Sequence, residues 1–110
     1  MTEAESVSRK VNSSLGLAAA LFGRGILASK RGDFGHAIQH FDEASSLVPL
    51  NKTFRARTLQ FLARALTGRR GPGDLERARA VLQECLTLLE EMGDTRRAAA
   101  VQEEMGTLTT

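Results

Sequence analysis

Apolar side chains recur at helical spacing along most of the chain, and short polar or glycine-containing breaks separate them into segments. The clearest segment begins at Phe34, where apolar residues follow at intervals of three and four up to Val48. This pattern predicts an all-α protein. We place its helices at residues 3–11, 14–30, 34–48, 53–67, 74–91 and 95–105.

Residues that cap a helix or cannot continue one set these boundaries. Asn12, Ser13 and Ser14 are good capping residues, so they predict a break before the 14–30 helix. Pro49 ends the next helix because its ring removes an amide donor and disfavours helical geometry in the residue before it. The remaining breaks are a Gly-Asp turn at Gly32, a glycine-rich loop at Gly68–Gly73, a helix end and cap at Gly93 and Asp94, and a frayed tail from Gly106.

Two segments of the chain repeat one pattern, GDFGHAIQHFDEASSLV from Gly32 and GDLERARAVLQECLTLL from Gly73, an offset of 41 residues (73 minus 32). Both open with a Gly-Asp turn and then place small and large apolar residues at the same positions. Small residues let two helices approach closely, and large ones fill the space between them. The matched pairs are Gly32 with Gly73, Phe34 with Leu75, Ala37 with Ala78, Phe41 with Leu82, and Ala44 with Cys85.

The first of these segments has the spacing of a known helical repeat, the tetratricopeptide repeat (TPR). The matching positions are Gly25, Gly32, Phe34, Ala37, Phe41, Ala44 and Pro49, whereas Leu21, Arg24 and Ala28 stand where the family has an aromatic residue, leucine and tyrosine. The chain therefore resembles the TPR family, with a first repeat at about 18–51, a second at about 52–92 and a capping helix at about 95–105. Because a TPR is about 34 residues long, the offset of 41 implies a seven-residue insertion. The resemblance implies a right-handed stack of antiparallel helix hairpins, whose first helices line a concave groove that binds peptides or helices of partner proteins.

Composition and charge narrow the classes of function. Fifteen basic and thirteen acidic residues give a net charge of +2, too small a bias to predict nucleic-acid or membrane-surface binding. No apolar run approaches the ~20 residues of a membrane span. A single cysteine excludes an internal disulfide, and the acidic start Met-Thr-Glu-Ala-Glu does not look like a secretory signal. We therefore expect a cytoplasmic protein.

Few residues carry reactive chemistry. His36, His40 and Glu43 share one side of a predicted helix and could offer ligands to Zn²⁺, but a solvated polar face is the favoured interpretation. Cys85 occupies a small, buried position in the repeat pattern, which predicts an inert core thiol. The Gly68–Gly73 loop lacks the Gly-Lys-Ser/Thr ending of a phosphate loop. These observations predict a protein that is not an enzyme and needs no cofactor.

The TPR resemblance assigns the groove residues by position: Phe22, Ile26 and Lys30, beside Ala19 and Ser29, from the first repeat, and Arg57, Gln60 and Arg64 from the second. Charge supports a basic wall, because Ala44 to Gly73 contains six basic residues and no acidic one. An apolar floor beside arginines predicts a peptide or helix ligand that is acidic or ends in a carboxylate and carries an apolar side chain.

The first TPR-like helix is apolar on more than one side, which raises an alternative function. Leu15, Phe22 and Ile26 together in water would form the kind of apolar patch that marks an interaction site. A homodimer through residues 14–30 would bury that patch, and the protein would then be a self-assembling structural protein whose groove is closed by a second copy. The competing explanation is that residues 3–11 fold back and cover it.

Overall fold

The computed structural model describes the backbone of residues 3–108 and the side chains of residues 13–108. Within this part of the chain the regular structure is entirely helical, which confirms the predicted all-α class. Helices α2 and α4 begin at the predicted residues and end within one residue of the prediction. The five helices are α1 (Glu3–Lys30), α2 (Phe34–Leu47), α3 (Lys52–Arg69), α4 (Asp74–Glu91) and α5 (Thr95–Thr107).

Helix α1 is one continuous helix, so the predicted break at Asn12–Ser14 is wrong. Asparagine and serine favour caps, but nothing in this stretch prevents a helix from continuing, since neither proline nor glycine interrupts it. The segment 3–11 therefore extends α1 in line and does not fold back over it.

Two other helix ends differ from the prediction. Helix α3 includes Gly68 and Arg69, and Arg70 then adopts the left-handed conformation (φ 52°) while its amide donates to the carbonyl of Leu66. Helix α5 continues through the predicted tail as far as Thr107, whose hydroxyl donates to the Glu104 carbonyl at 2.7 Å. The last two predicted tail residues, 109–110, lie outside the described part of the chain.

Capping side chains start α2, α3 and α5, the helices that follow three of the turns. Asp33, Asn51 and Asp94 each accept a hydrogen bond from the amide three residues further on, with donor–acceptor distances of 3.4, 3.0 and 3.1 Å. The first turn needs a glycine, because Gly32 has a φ of 77° that other residues rarely adopt. The Gly-Asp turn at Gly32 thus combines a left-handed residue with a helix cap, whereas Gly73 is left-handed but no side chain caps α4.

Successive helices pack side by side in antiparallel pairs. In the α3–α4 pair, the side chain of Arg69 contacts Asp74 next to the turn, Arg55 donates to Glu84 at 2.8 Å in the middle, and Lys52 lies 2.9 Å from Glu91 at the far end. The α1–α2 pair is likewise antiparallel. Gly25 lies against Phe41, and Ala18, which is seven residues further from the turn, clusters with Ala44. Helix α2 also packs on α3, and α5 packs on α4.

The main core lies between α2, α3, α4 and α5 and is built mainly from alanine and leucine, together with Ile38, Cys85, Val101 and the fully buried Phe41. A smaller cluster of Ala18, Leu21 and Ala44 joins α1 to α2. The predicted contact between Gly25 and α2 is confirmed, because a Cβ at Gly25 would lie 2.5 Å from Cε1 of Phe41. Gly68 packs against the ring of Phe34 in the same way, because a Cβ at Gly68 would lie 2.7 Å from Cζ of Phe34. Among the helices of the described region, none combines the length and apolar character that crossing a membrane requires.

Candidate binding groove

Phe22 of α1 lies at the centre of a cluster of four phenylalanine rings. Its ring centroid is 5.7 Å from that of Phe41, 5.9 Å from Phe54 and 5.2 Å from Phe61, and it meets Phe61 edge to face at 85°. Aromatic pairs at these distances and angles are favourable. Two of the rings belong to α3, so the third helix provides part of the cover for Phe22, and the ring is half-buried within one chain.

Two arginines of α3 lie over this aromatic surface. The guanidinium carbon of Arg57 is 5.5 Å from the centroid of Phe22, and that of Arg64 is 5.2 Å from the centroid of Phe61. Each contact has the geometry of a cation–π interaction, which at an exposed site stabilises by about 0.5–1 kcal/mol. The two arginines are seven residues apart and therefore lie on the same side of α3.

Glu104 of α5 occupies part of the predicted binding surface. One carboxylate oxygen of Glu104 accepts hydrogen bonds from Gln60 at 2.7 Å and from Arg64 at 2.9 Å. Among the described residues no carboxylate pairs with Arg57. Gln60 and Arg64 thus already have an internal partner, whereas the guanidinium of Arg57 has no carboxylate partner within residues 13–108.

A cleft of about 270 Å³ opens between α3 and α5 beside Arg57. The surface that lines the cleft is mixed, with polar and apolar parts of similar extent, and its apolar part includes Leu89 and Cys85 of α4. Arg97 of α5 lines the cleft together with Arg57. Among the described residues, the Arg97 side chain makes one long ion pair, 3.6 Å, with Asp94. The full set of lining residues is Ala56, Arg57, Gln60, Phe61, Cys85, Leu89, Arg97 and Ala100. We call this the α3–α5 cleft, and it places two guanidinium groups beside apolar side chains.

Cys85 is buried as the repeat pattern predicted, with 1% of its surface exposed. Its thiol donates a hydrogen bond to the Ala56 carbonyl at 3.2 Å. Burial raises the pKa of the Cys85 thiol to about 11, and the negative charges of Glu104 and Glu84 act in the same direction. The thiol is therefore protonated at neutral pH, and a protonated thiol is a poor nucleophile.

The structure separates the other predicted groove and self-association residues. Ile26 is half-buried against the main core, and Lys30 is exposed at the last residue of α1, about 12 Å along the helix from Phe22. Leu15 lies near the other end of the hairpin, where it lines a cavity together with the turn between α2 and α3. Phe22, Arg57, Gln60 and Arg64 are the predicted residues that the fold brings to one surface.

Two residues of this surface were missed from the sequence. Phe61 follows Phe54 by seven residues, two helical turns, and this spacing could have placed both rings on the α1 side of α3. Arg97 was assigned to a capping helix, although a helix that opens a third repeat would also line a groove. We define the candidate groove as Phe22, Arg57, Gln60, Phe61 and Arg64 together with Arg97 across the α3–α5 cleft.

The histidine pair predicted as a polar face lies on α2. The His36 Nδ1 atom is 2.6 Å from the Asp33 carboxylate, and both side chains are exposed. The hydrogen bond from His36 lowers the pKa of Asp33 below its ordinary value. Within residues 13–108, no group of three histidine, cysteine, aspartate or glutamate side chains is arranged to hold a metal ion.

The glycine-rich loop after α3 is closed by Asp74, a residue that sequence reasoning did not single out. Its buried carboxylate accepts two hydrogen bonds from Arg69, at 2.7 and 2.8 Å, and a third from the Gly71 amide at 2.8 Å. The Arg69 contact is the main reason that the pKa of Asp74 falls to about 2. The carboxylate therefore holds the turn between α3 and α4 in one conformation.

No family model, curated protein or solved structure matches the chain.

Proposed function

We propose that the protein is a non-catalytic protein–protein interaction module with a TPR-like stack of helices. Support comes from the order of contacts, in which α1 pairs with α2 and α3 pairs with α4. The contact of Phe22 with Phe61 joins α1 to α3, and the bond from Gln60 to Glu104 joins α3 to α5. Alternate helices thus meet along one side, which is the side that forms the binding surface of a helical repeat protein.

The observation that carries the proposal is the position of Arg57. Its guanidinium lies over the half-buried Phe22 ring, lines the α3–α5 cleft and has no carboxylate partner among the described residues. A guanidinium in a cleft with both polar and apolar walls fits a carboxylate that is attached to an apolar group. An engineered apolar cavity of ~150 Å³ holds a benzene molecule, so the α3–α5 cleft of about 270 Å³ has room for an apolar side chain.

The ligand we propose is an acidic or carboxylate-ended peptide or helix of a partner protein. Arg57 and Arg97 would bind its carboxylate, because both line the α3–α5 cleft. Arg64, which the sequence analysis places in the same groove as Arg57, forms an ion pair with Glu104. A ligand would therefore use Arg57 and Arg97 first, and it would engage Arg64 only by displacing Glu104.

A partner peptide fits this surface better than a second copy of the chain. The self-assembly alternative assumes that Phe22 and Ile26 stand together in water. Three rings pack on Phe22 within one chain, and Phe22 and Ile26 are both half-buried, so neither side chain is fully exposed to water.

The proposal is tested by binding of labelled synthetic peptides, measured by fluorescence anisotropy. Each peptide carries several glutamates, one leucine or phenylalanine and a free C-terminal carboxylate, and a second set replaces the glutamates with lysines. We expect saturable binding of the acidic set that weakens as salt is added. Arg57→Ala should weaken this binding roughly tenfold, because a hydrogen bond to a charged group contributes about 1.5–3 kcal/mol.

Arg96→Ala is the matched control. Arg96 is exposed on the same helix as Arg97 but does not line the α3–α5 cleft, and its replacement changes the net charge by the same amount as Arg57→Ala. Binding through general electrostatics would fall equally in the two variants. Equal loss in both, or no loss when Arg57 and Arg97 are replaced together, would count against the candidate groove.

A further inference from the structure

Leu50 is the most exposed of the large apolar side chains in residues 13–108, with 94% of its surface accessible. It lies between Pro49 and Asn51 in the turn that joins α2 to α3. A single exposed leucine is common on protein surfaces. Leu50 differs from such residues because an apolar cleft lies beside it.

An apolar cleft of about 290 Å³ lies next to Leu50, and we call it the Leu50 cleft. Its walls come from the N-terminal half of α1 and from the end of α2 with the following turn. Leu15, itself 36% exposed, forms the α1 wall. The lining residues are Ser14, Leu15, Leu47, Val48, Pro49, Leu50 and Asn51. A cavity of ~150 Å³ holds a benzene molecule, so the larger Leu50 cleft has room for a leucine side chain.

Neither segment that forms the Leu50 cleft carries a charge. The sequence has no aspartate, glutamate, lysine, arginine or histidine from Val11 to Gly23, nor from Ala44 to Asn51. When a surface docks onto its own copy across a two-fold axis, every charge that it buries needs an opposite charge on the same surface. The two uncharged segments of the Leu50 cleft bury no charge on docking, whereas in the candidate groove Arg57 has no carboxylate partner among the described residues.

We propose that a second copy of the chain docks here, with Leu50 of each copy inserted into the Leu50 cleft of the other. The projecting side chain and the cavity that fits it lie on one patch, so a two-fold arrangement uses both of them twice. The contact is small compared with stable dimer interfaces of about 800 Å² per partner, so it should give a weak, concentration-dependent dimer. This dimer uses residues outside the candidate groove and does not depend on the proposed ligand.

The test is the mass of the full chain in solution, measured by sedimentation equilibrium from roughly ten micromolar to one millimolar, the range that a small interface calls for. We expect the wild-type chain to dimerise within this range and Leu50→Ser to raise the dimer dissociation constant at least tenfold. Leu50 projects from a turn into solvent, so this substitution leaves the core intact. The matched control is Leu27→Ser, because Leu27 is a 49% exposed leucine on α1 that does not line the Leu50 cleft.

A monomeric wild-type chain over the whole range overturns the proposal, and binding of a leucine-bearing peptide by that monomer would assign the Leu50 cleft to another protein. An equal effect of Leu27→Ser also overturns it, because the contact would then involve another face of α1.

Disulfide cross-linking provides a second readout. A Leu15→Cys chain mixed with a Leu50→Cys chain should form a mixed disulfide under mild oxidation, because the two residues meet across the proposed interface. Native Cys85 does not interfere, since it is 1% exposed. The control mixture pairs Leu27→Cys with Leu50→Cys. Equal yields from the two mixtures would refute insertion of Leu50 into the partner's cleft.

Discussion

Replacing Gly25 by alanine should test the close approach of α1 to α2 at Phe41. A Cβ at this position would lie 2.5, 2.7 and 2.8 Å from three ring carbons of Phe41. The ring cannot move away easily, because Phe41 is fully buried and packs on Phe22 and Phe61 at centroid distances of 5.7 and 6.2 Å. The alanine methyl group would therefore force α1 and α2 apart or strain the ring.

Two opposing effects set the size of the change. Glycine in a helix is about 1 kcal/mol less favourable than alanine, so the substitution would stabilise α1 if space allowed. Overpacking a close contact typically costs about 1–3 kcal/mol. Gly23 lies on the same helix, and a Cβ there would meet no atom of a neighbouring helix within 4 Å. Gly23→Ala should therefore gain the helix propensity of alanine without a clash. Gly25→Ala should thus be less stable than Gly23→Ala by about 1–3 kcal/mol.

The assay is urea denaturation followed by far-ultraviolet circular dichroism, because the chain has no tryptophan or tyrosine for fluorescence. We expect Gly23→Ala to unfold at higher urea than the wild type and Gly25→Ala to unfold at lower urea than Gly23→Ala. If Gly25→Ala is as stable as Gly23→Ala, the close approach of α1 to α2 at Phe41 is wrong.

Two further predictions concern buried polar groups. Because the pKa of Asp74 is about 2 in the folded chain and 3.8 in its ordinary environment, the stability that it contributes is complete above about pH 4 and is lost as the pH falls to about 2. Asp74→Asn should lower the thermal midpoint at neutral pH, and its difference from the wild type should shrink over that window; a constant difference would contradict the Arg69 contact. Cys85, with its pKa raised to about 11, should react with a thiol reagent at neutral pH far more slowly in the folded chain than in urea, and equal rates would show that it is accessible.

Local sequence signals predicted α2 and α4 well because the residues that begin and end helices agree with the apolar pattern there. Gly32 and Asp33 combine a left-handed residue with a cap, and Pro49 prevents continuation. At Asn12–Ser14 the signal is ambiguous, because the same residues can cap one helix or lie within another. The continuity of α1 could not be decided from that stretch alone.

The candidate groove was predictable only in part. The TPR resemblance places Phe22, Arg57 and Gln60 by position, and the fold brings them to one surface. The bonds from Gln60 and Arg64 to Glu104 join residues at least 40 positions apart. Such contacts depend on how far α5 is shifted along α3, and no pattern within either helix specifies that shift. For this reason, the ion pair between Arg64 and Glu104 could not be predicted from the sequence.

The candidate groove is tested most directly by mapping where an acidic peptide binds, using amide NMR spectra of the isotope-labelled full chain. The same glutamate-rich peptide with one leucine serves as the probe, and the lysine-substituted peptide serves as its control. We predict the largest shifts at Phe22, Arg57, Phe61 and Arg97, and none of comparable size with the control peptide. Shifts confined to α2 and α4, or no shift at saturating peptide, would contradict a ligand-binding role for this surface.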